Sequence, residues 1–133
     1  MNEALARKLE HLRSEKTAAY AVEVGSDNAF TGRTTTSTIY AANVSRYDQD
    51  RLHLSGEGWT RRVLAANVRS VYAVTPETVA AQYHVGQWVV VRKYGNDYGA
   101  TVTKVGRTRL TVTFRTRGGA RKEMTLSALA VVR

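Results

Sequence analysis

The chain has 133 residues, 20 basic against 11 acidic side chains, a formal net charge of +9 and no cysteine. Missing cysteine excludes disulfides and thiolate metal sites, and no apolar run approaches the ~20 residues of a membrane-spanning helix. The opening Met1-Asn-Glu-Ala-Leu lacks the layout of a signal peptide, so the expectation is a cytoplasmic protein with no membrane partner. Arginine outnumbers lysine 15 to 5 among abundant Ala, Val and Thr, a bias of GC-rich genomes such as those of actinobacteria and their phages.

Residues 2–17 read as a helix. Asn2 is placed to accept hydrogen bonds from the first-turn amides, and Leu5, Leu9 and Leu12 fall on one face at i, i+4 and i+7. So narrow a stripe needs a surface, either the β structure that follows or a second copy, in which case the helix makes a dimer. From Ala18 the period changes to two, and Tyr20, Val22 and Val24 predict a half-buried strand. Residues 25–38, rich in Gly, Ser, Thr, Asp and Asn, read as a long loop. Strands are predicted over 39–46, 51–55, 59–64 and 69–74, with a turn at Tyr47-Asp-Gln-Asp50, a hairpin around Gly56-Glu-Gly58 and one helical turn over 65–68.

Thr75-Pro76-Glu77 is a helix start, with Thr75 as cap and Pro76 where the amide has no partner to lose. It opens a short connecting helix over 76–83 and marks a domain boundary. Further strands are predicted over 87–93, 98–105, 108–116, 120–126 and 129–132, with Gly118-Gly119 in a tight hairpin and a 3₁₀ turn at Leu126-Ser-Ala-Leu129. Alternation places Leu110, Val112 and Phe114 toward a core and Arg109, Thr111, Thr113 and Arg115 toward solvent.

The second half of this series repeats the first. Tyr40-Ala-Ala-Asn-Val44-Ser-Arg46 returns 58 residues on as Tyr98-Gly-Ala-Thr-Val102-Thr-Lys104, and Arg51-Leu-His-Leu54-Ser continues ungapped against Arg109-Leu-Thr-Val112-Thr. Val63 to Val71 then align with Met124 to Val132 at an offset of 61. Such a period predicts two copies of one small domain, over 18–75 and 85–133, with the helix 1–17 ahead of them and a linker helix over 76–84 between them. Charge divides unequally. Residues 1–17 carry four basic and three acidic groups, residues 18–79 six of each, and residues 80–133 ten basic groups against Asp97 and Glu123, a net of +8. A block of positive potential attracts polyanions.

The order of the second copy, Val85-Gly-Gln-Trp-Val-Val-Val91, then Gly99-Ala-Thr-Val102, then Leu126-Ser-Ala-Leu-Ala-Val-Val132, resembles SH3-like barrels of the Tudor and KOW kind. Residues 18–74 resemble them more faintly. The resemblance implies a mainly β fold of two tandem small SH3-like barrels behind an N-terminal α-helix. Barrels of this kind bind RNA, DNA, peptides or methylated side chains, so the fold does not choose among them.

Two clusters carry the candidate chemistry. Arg92, Lys93, Tyr94 and Tyr98 surround one loop, and Lys104 and Arg107 lie at the next turn. The resemblance places both loops at one end of the barrel, where arginine grips phosphate and tyrosine stacks a base. The competing reading packs Tyr94 and Tyr98 into the barrel mouth and leaves the cations merely solvated. Arg115, Arg117, Arg121 and Lys122 crowd the last hairpin, which the resemblance aims away from the first two loops, and Arg109 and Arg115 share the outward face of one strand. That hairpin repels itself without an anionic partner, although a charged tip also deters edge-to-edge aggregation. In the first copy Arg46, Arg51, Arg61 and Arg62 are balanced by Asp48, Asp50 and Glu57, which predicts internal pairing or a protein contact and not phosphate binding. Trp88, Tyr94, Tyr98 and Phe114 are the rings available for an aromatic cage, but Trp88 and Phe114 occupy apolar strand positions and read as core.

Catalysis finds no constellation. His11, His53 and His84 are scattered without metal-ligand spacing. The chain offers no Gly-rich phosphate loop or Ser-His-Asp set, and few acids for the divalent metal of a nuclease. The expectation is a non-enzymatic protein without metal or cofactor. It would bind DNA or RNA through its second barrel by phosphate contacts with little base readout. The alternative is a protein-interaction module whose basic barrel grips an acidic protein, such as a phage or host regulatory factor.

Overall fold

A computed structural model describes residues 3–27, 30–93 and 95–132. The predicted cap Asn2 lies outside them. The chain divides into two compact units, Met1–Ser55 with Thr60–Val74, and Gly56–Trp59 with Thr75–Arg133. The described residues are mainly β, with an N-terminal helix and three small open sheets, none of which closes into a barrel. Among them no helix is long and apolar enough to cross a membrane.

In the first unit α1 (Glu3–Ser14) buries Leu9 and Leu12, while Leu5 is half-buried. The helix stops short of residue 17 because Lys16 takes a left-handed conformation at φ 53. The Lys16 amide then donates to Arg13 O and the Thr17 amide to Leu12 O, a Schellman closure at a position where glycine is usual. Strands β1 (Ala19–Asp27), β2 (Thr34–Ala41), β3 (Asn43–Arg46), β4 (Arg51–Gly56) and β5 (Trp59–Leu64) follow, then a 3₁₀ turn (Ala65–Asn67) and β6 (Val68–Val74). They form sheets of order β2-β1-β6 and β3-β4-β5. The core holds Ala19 to Val22, Ile39, Val44, Leu52, Leu54, Val63 and Val71.

The predicted loop over 25–38 is mostly sheet. Asp27 pairs with Thr34 and Val24 with Ser37, and Thr34 Oγ1 donates to Asp27 Oδ1 at 2.7 Å. A polar run reads as loop by composition, yet β-branched threonine fits a pleated surface whether or not it is buried.

The second unit opens with α2 (Pro76–Ala80), capped by Thr75 Oγ1, which accepts from the Thr78 amide at 3.1 Å. Strands β7 (Trp88–Lys93), β8 (Asn96–Val105), β9 (Arg109–Arg115) and β10 (Arg121–Ser127) form an antiparallel sheet of order β10-β9-β8-β7. Its buried face carries Val89, Val91, Ala100, Val102, Leu110, Val112, Phe114 and Leu126. The strand predicted over 129–132 does not form. Ser127 Oγ accepts from the Leu129 amide and turns the chain into a 3₁₀ segment (Ala128–Ala130), after which only Val131 bridges to Val91.

Corresponding positions of the two units pair alike. Asn43 opposite Ser55 and Val44 opposite Leu54 have their counterparts in Thr101 opposite Thr113 and Val102 opposite Val112. Beyond Val102 the second copy departs by a one-residue bulge, which brings Lys104 opposite Thr111 and Val105 opposite Leu110. The alignment at an offset of 61 is corrected. The 3₁₀ turns at Ala65–Asn67 and Ala128–Ala130 correspond at 63, since both are entered and left in extended conformation through Leu64 and Val68, and through Ser127 and Val131.

Candidate nucleic-acid interface

The candidate residues gather differently from the expected arrangement, and the reason is the meander. Each hairpin reverses the chain, so the β7–β8 turn and the β9–β10 turn fall at one end of the sheet and the β8–β9 turn at the other. The loops around residues 94–98 and 104–107 therefore do not flank one end. Arg92, Lys93 and Tyr98 instead meet Arg115, Arg117, Arg121 and Lys122, while Lys104, Arg107 and Arg109 lie toward the opposite end. Tyr94 lies outside the described residues. With neighbouring strands about 4.8 Å apart, the basic end spans only ~14 Å from β7 to β10.

Register sorts these groups by face. Arg115 stands directly opposite Arg121, and both are exposed on the outward face. Lys122 stands opposite Phe114 on the core-facing side. There the Tyr98 ring lies 5.1 Å from that of Phe114, and Lys93 Nζ is 5.8 Å from the Phe114 centroid. Tyr98 is half-buried and Phe114 buried. The hairpin closes through the Thr116 amide on Ala120 O and the Gly119 amide on Thr116 O. Of the two glycines only Gly119 uses a positive φ, at +81.

Some of the cations are engaged. Arg92 Nε donates to Asp97 Oδ1 at 2.8 Å, and this hydrogen bond, with the carboxylate's charge, raises the guanidinium above its already high pKa. Arg107 stands 3.8 Å from Glu77 in an exposed pair, worth little in water. Arg109 makes a long hydrogen bond to Thr125 O at 3.5 Å. Among the described residues, Lys104, Arg115, Arg117, Arg121 and Lys122 have no ion-pair partner.

Phe114 is core, as expected, but Trp88 is not. Its side chain is 66% exposed, because Val89 and Val91 take the inward positions of β7 and leave Trp88 facing out. The same parity was available in the sequence, and so was the strand glycine Gly99, which marks a close approach. In the first unit the expected acid–base pairing is replaced by other contacts. Arg62 lies 4.0 Å over the Tyr47 ring, and Arg46 Nε donates to the Asp48 carbonyl. A groove of about 750 Å³ opens in that unit beside Leu5, Lys8, Asp50, Leu64 and Arg69, and none of the candidate residues lines it. No group of three His, Asp or Glu among the described residues is arranged to hold a metal. Comparison with protein-family models, with curated proteins and with solved structures gives no match for this chain.

Proposed function

We propose that the second unit is a non-enzymatic nucleic-acid-binding module, acting in the cytoplasm, that holds backbone phosphates at the basic end of its four-stranded sheet. The observation that carries this reading is the Arg115–Arg121 pair. Like charges directly opposite each other destabilise a sheet, and among the described residues neither is in an ion pair, Glu123 standing two residues from Arg121 on the same face without bridging to it. A polyanion relieves that repulsion. Two guanidinium forks side by side suit phosphate oxygens, with Arg117 and Lys122 on the same hairpin extending the contact, and counterion release adds to the affinity. The helix of this unit, Pro76–Ala80, has five residues, too few to read a major groove, so affinity rests on the backbone and not on base edges.

The units themselves are proposed to be SH3-like. The strand orders β2-β1-β6 and β3-β4-β5, passing between sheets at Ala42, support this for the first. The 3₁₀ turn that precedes the last extended segment supports it for both.

Arg115→Glu separates this reading from a merely solvated tip. An acid opposite Arg121 replaces repulsion with attraction, so thermal stability should hold or rise, by up to ~1 kcal/mol. Affinity for DNA or RNA oligonucleotides at low salt should fall about tenfold or more. A variant that is equally stable and binds as well as the parent would dismiss the phosphate role of this pair.

A further inference from the structure

We propose that Trp88 is a stacking platform for an unpaired base, so that the preferred ligand is single-stranded nucleic acid. This rests on the reading of the second unit as a phosphate-binding module and adds to it the part of the ligand that phosphate contacts leave unspecified.

The indole is a large apolar group held out of the core, in contrast to Trp59, which is 3% exposed. It is nevertheless not loose. A Cβ at Gly99 would stand 2.8 Å from Trp88 Nε1, 2.9 Å from Cζ2 and 3.0 Å from Cε2. These three are contiguous atoms of one edge of the indole, so that edge lies close against β8 at Gly99 while the residue as a whole stays 66% exposed. Gly99 has no positive φ, so the absence of a side chain there serves this close approach and not a turn.

Around the platform the outward face carries hydrogen-bonding side chains. Thr101 stands opposite Trp88, and Thr113 opposite Thr101. Arg115 lies two residues beyond Thr113 on the same face, with Arg121 across from it. By strand spacing and rise, Arg115 is about 12 Å from Trp88, so a strand of a few nucleotides stacked on the indole runs over the threonines to the arginines. Lys104 stands on the same face beyond Thr101, opposite Thr111. Glu123, opposite Thr113, and Asp97, engaged by Arg92, are the acids on this face. Charge selects the occupant. A polyanion complements the five cations of this face, Arg92, Lys104, Arg109, Arg115 and Arg121, which outnumber its two acids, and a second copy of the same face would repel it. Bases within a duplex are already stacked and paired, so only an unpaired strand can offer one to the indole.

The test compares the intact protein with oligo-dT, oligo-U and duplex DNA of equal length at low salt. Affinity is followed by anisotropy of labelled strands, and intrinsic fluorescence is read with unlabelled ones. Single strands should quench Trp88, with buried Trp59 as a constant background. Trp88→Ala should weaken single-strand binding between about fivefold and a hundredfold and leave duplex binding unchanged. Trp88→Phe should retain most of the affinity. Gly99→Ala, which lifts the ring off the strand with the tryptophan still present, should give an intermediate loss. Unfolding curves of Trp88→Ala should match the parent, since most of this side chain is in water. Duplex binding with no quenching by single strands and no effect of Trp88→Ala overturns the platform and leaves the phosphate reading standing. Absence of binding to every nucleic acid overturns both. Binding to polyglutamate alone reassigns the face to an acidic protein.

Discussion

Replacing Arg115, Arg117 and Arg121 together by glutamate is expected to abolish binding of DNA and RNA, with a loss on the order of a thousandfold or more. All three side chains are exposed and none has an ion-pair partner among the described residues, so the protein should remain folded. Hydrogen bonds to charged groups contribute roughly 1.5–3 kcal/mol each, and three acids in place of three bases add repulsion from the phosphates. The slope of log affinity against log salt should fall by about three units, since each phosphate contact contributes close to one. Reversal of Arg46 and Arg61 in the first unit should do far less, because that unit lacks the excess of positive charge. Gel shifts with folded triple variant are the check, and retained binding would mean that the hairpin is not the contact.

Trp59→Ala is expected to destabilise the second unit by about 3–5 kcal/mol, the range for truncating a large buried aromatic. Trp59 is 3% exposed, its Nε1 donates to Leu129 O at 2.9 Å, and a Cβ on Gly56 would collide with the same indole and carbonyl. A domain is stable by about 5–15 kcal/mol, and so small a unit sits toward the lower end. The variant should therefore unfold at a much lower urea concentration, and an unchanged midpoint would remove Trp59 from the core. This residue also means that a fragment starting at 75 is not the whole second unit, since Gly56–Trp59 belongs to it.

What the sequence made legible was whatever depends on side-chain period. Leu110, Val112 and Phe114 on one strand and the cap at Thr75 follow from local pattern and lie where that pattern puts them. Two local features escaped for local reasons. The run Thr34 to Thr38 has the composition of a loop and the backbone preference of a strand, and Lys16 ends its helix in a conformation that its side chain does not advertise. The grouping of the cations escaped for a different reason. Which turns share an end of a sheet depends on how many times the chain reverses, and the resemblance to a barrel supplied an arrangement that the meander does not have. Trp88 reads as core from its place in an apolar strand, whereas its alternation with Val89 and Val91 places it outside.

The most direct test of the central claim is a salt series on the intact protein, titrating fluorescent DNA and RNA from low to physiological ionic strength. Phosphate contacts by several arginines and lysines predict tight binding at low salt, weakening by about a power of ten or more across the series along a straight log–log line. No binding of either DNA or RNA at the lowest salt would contradict the account.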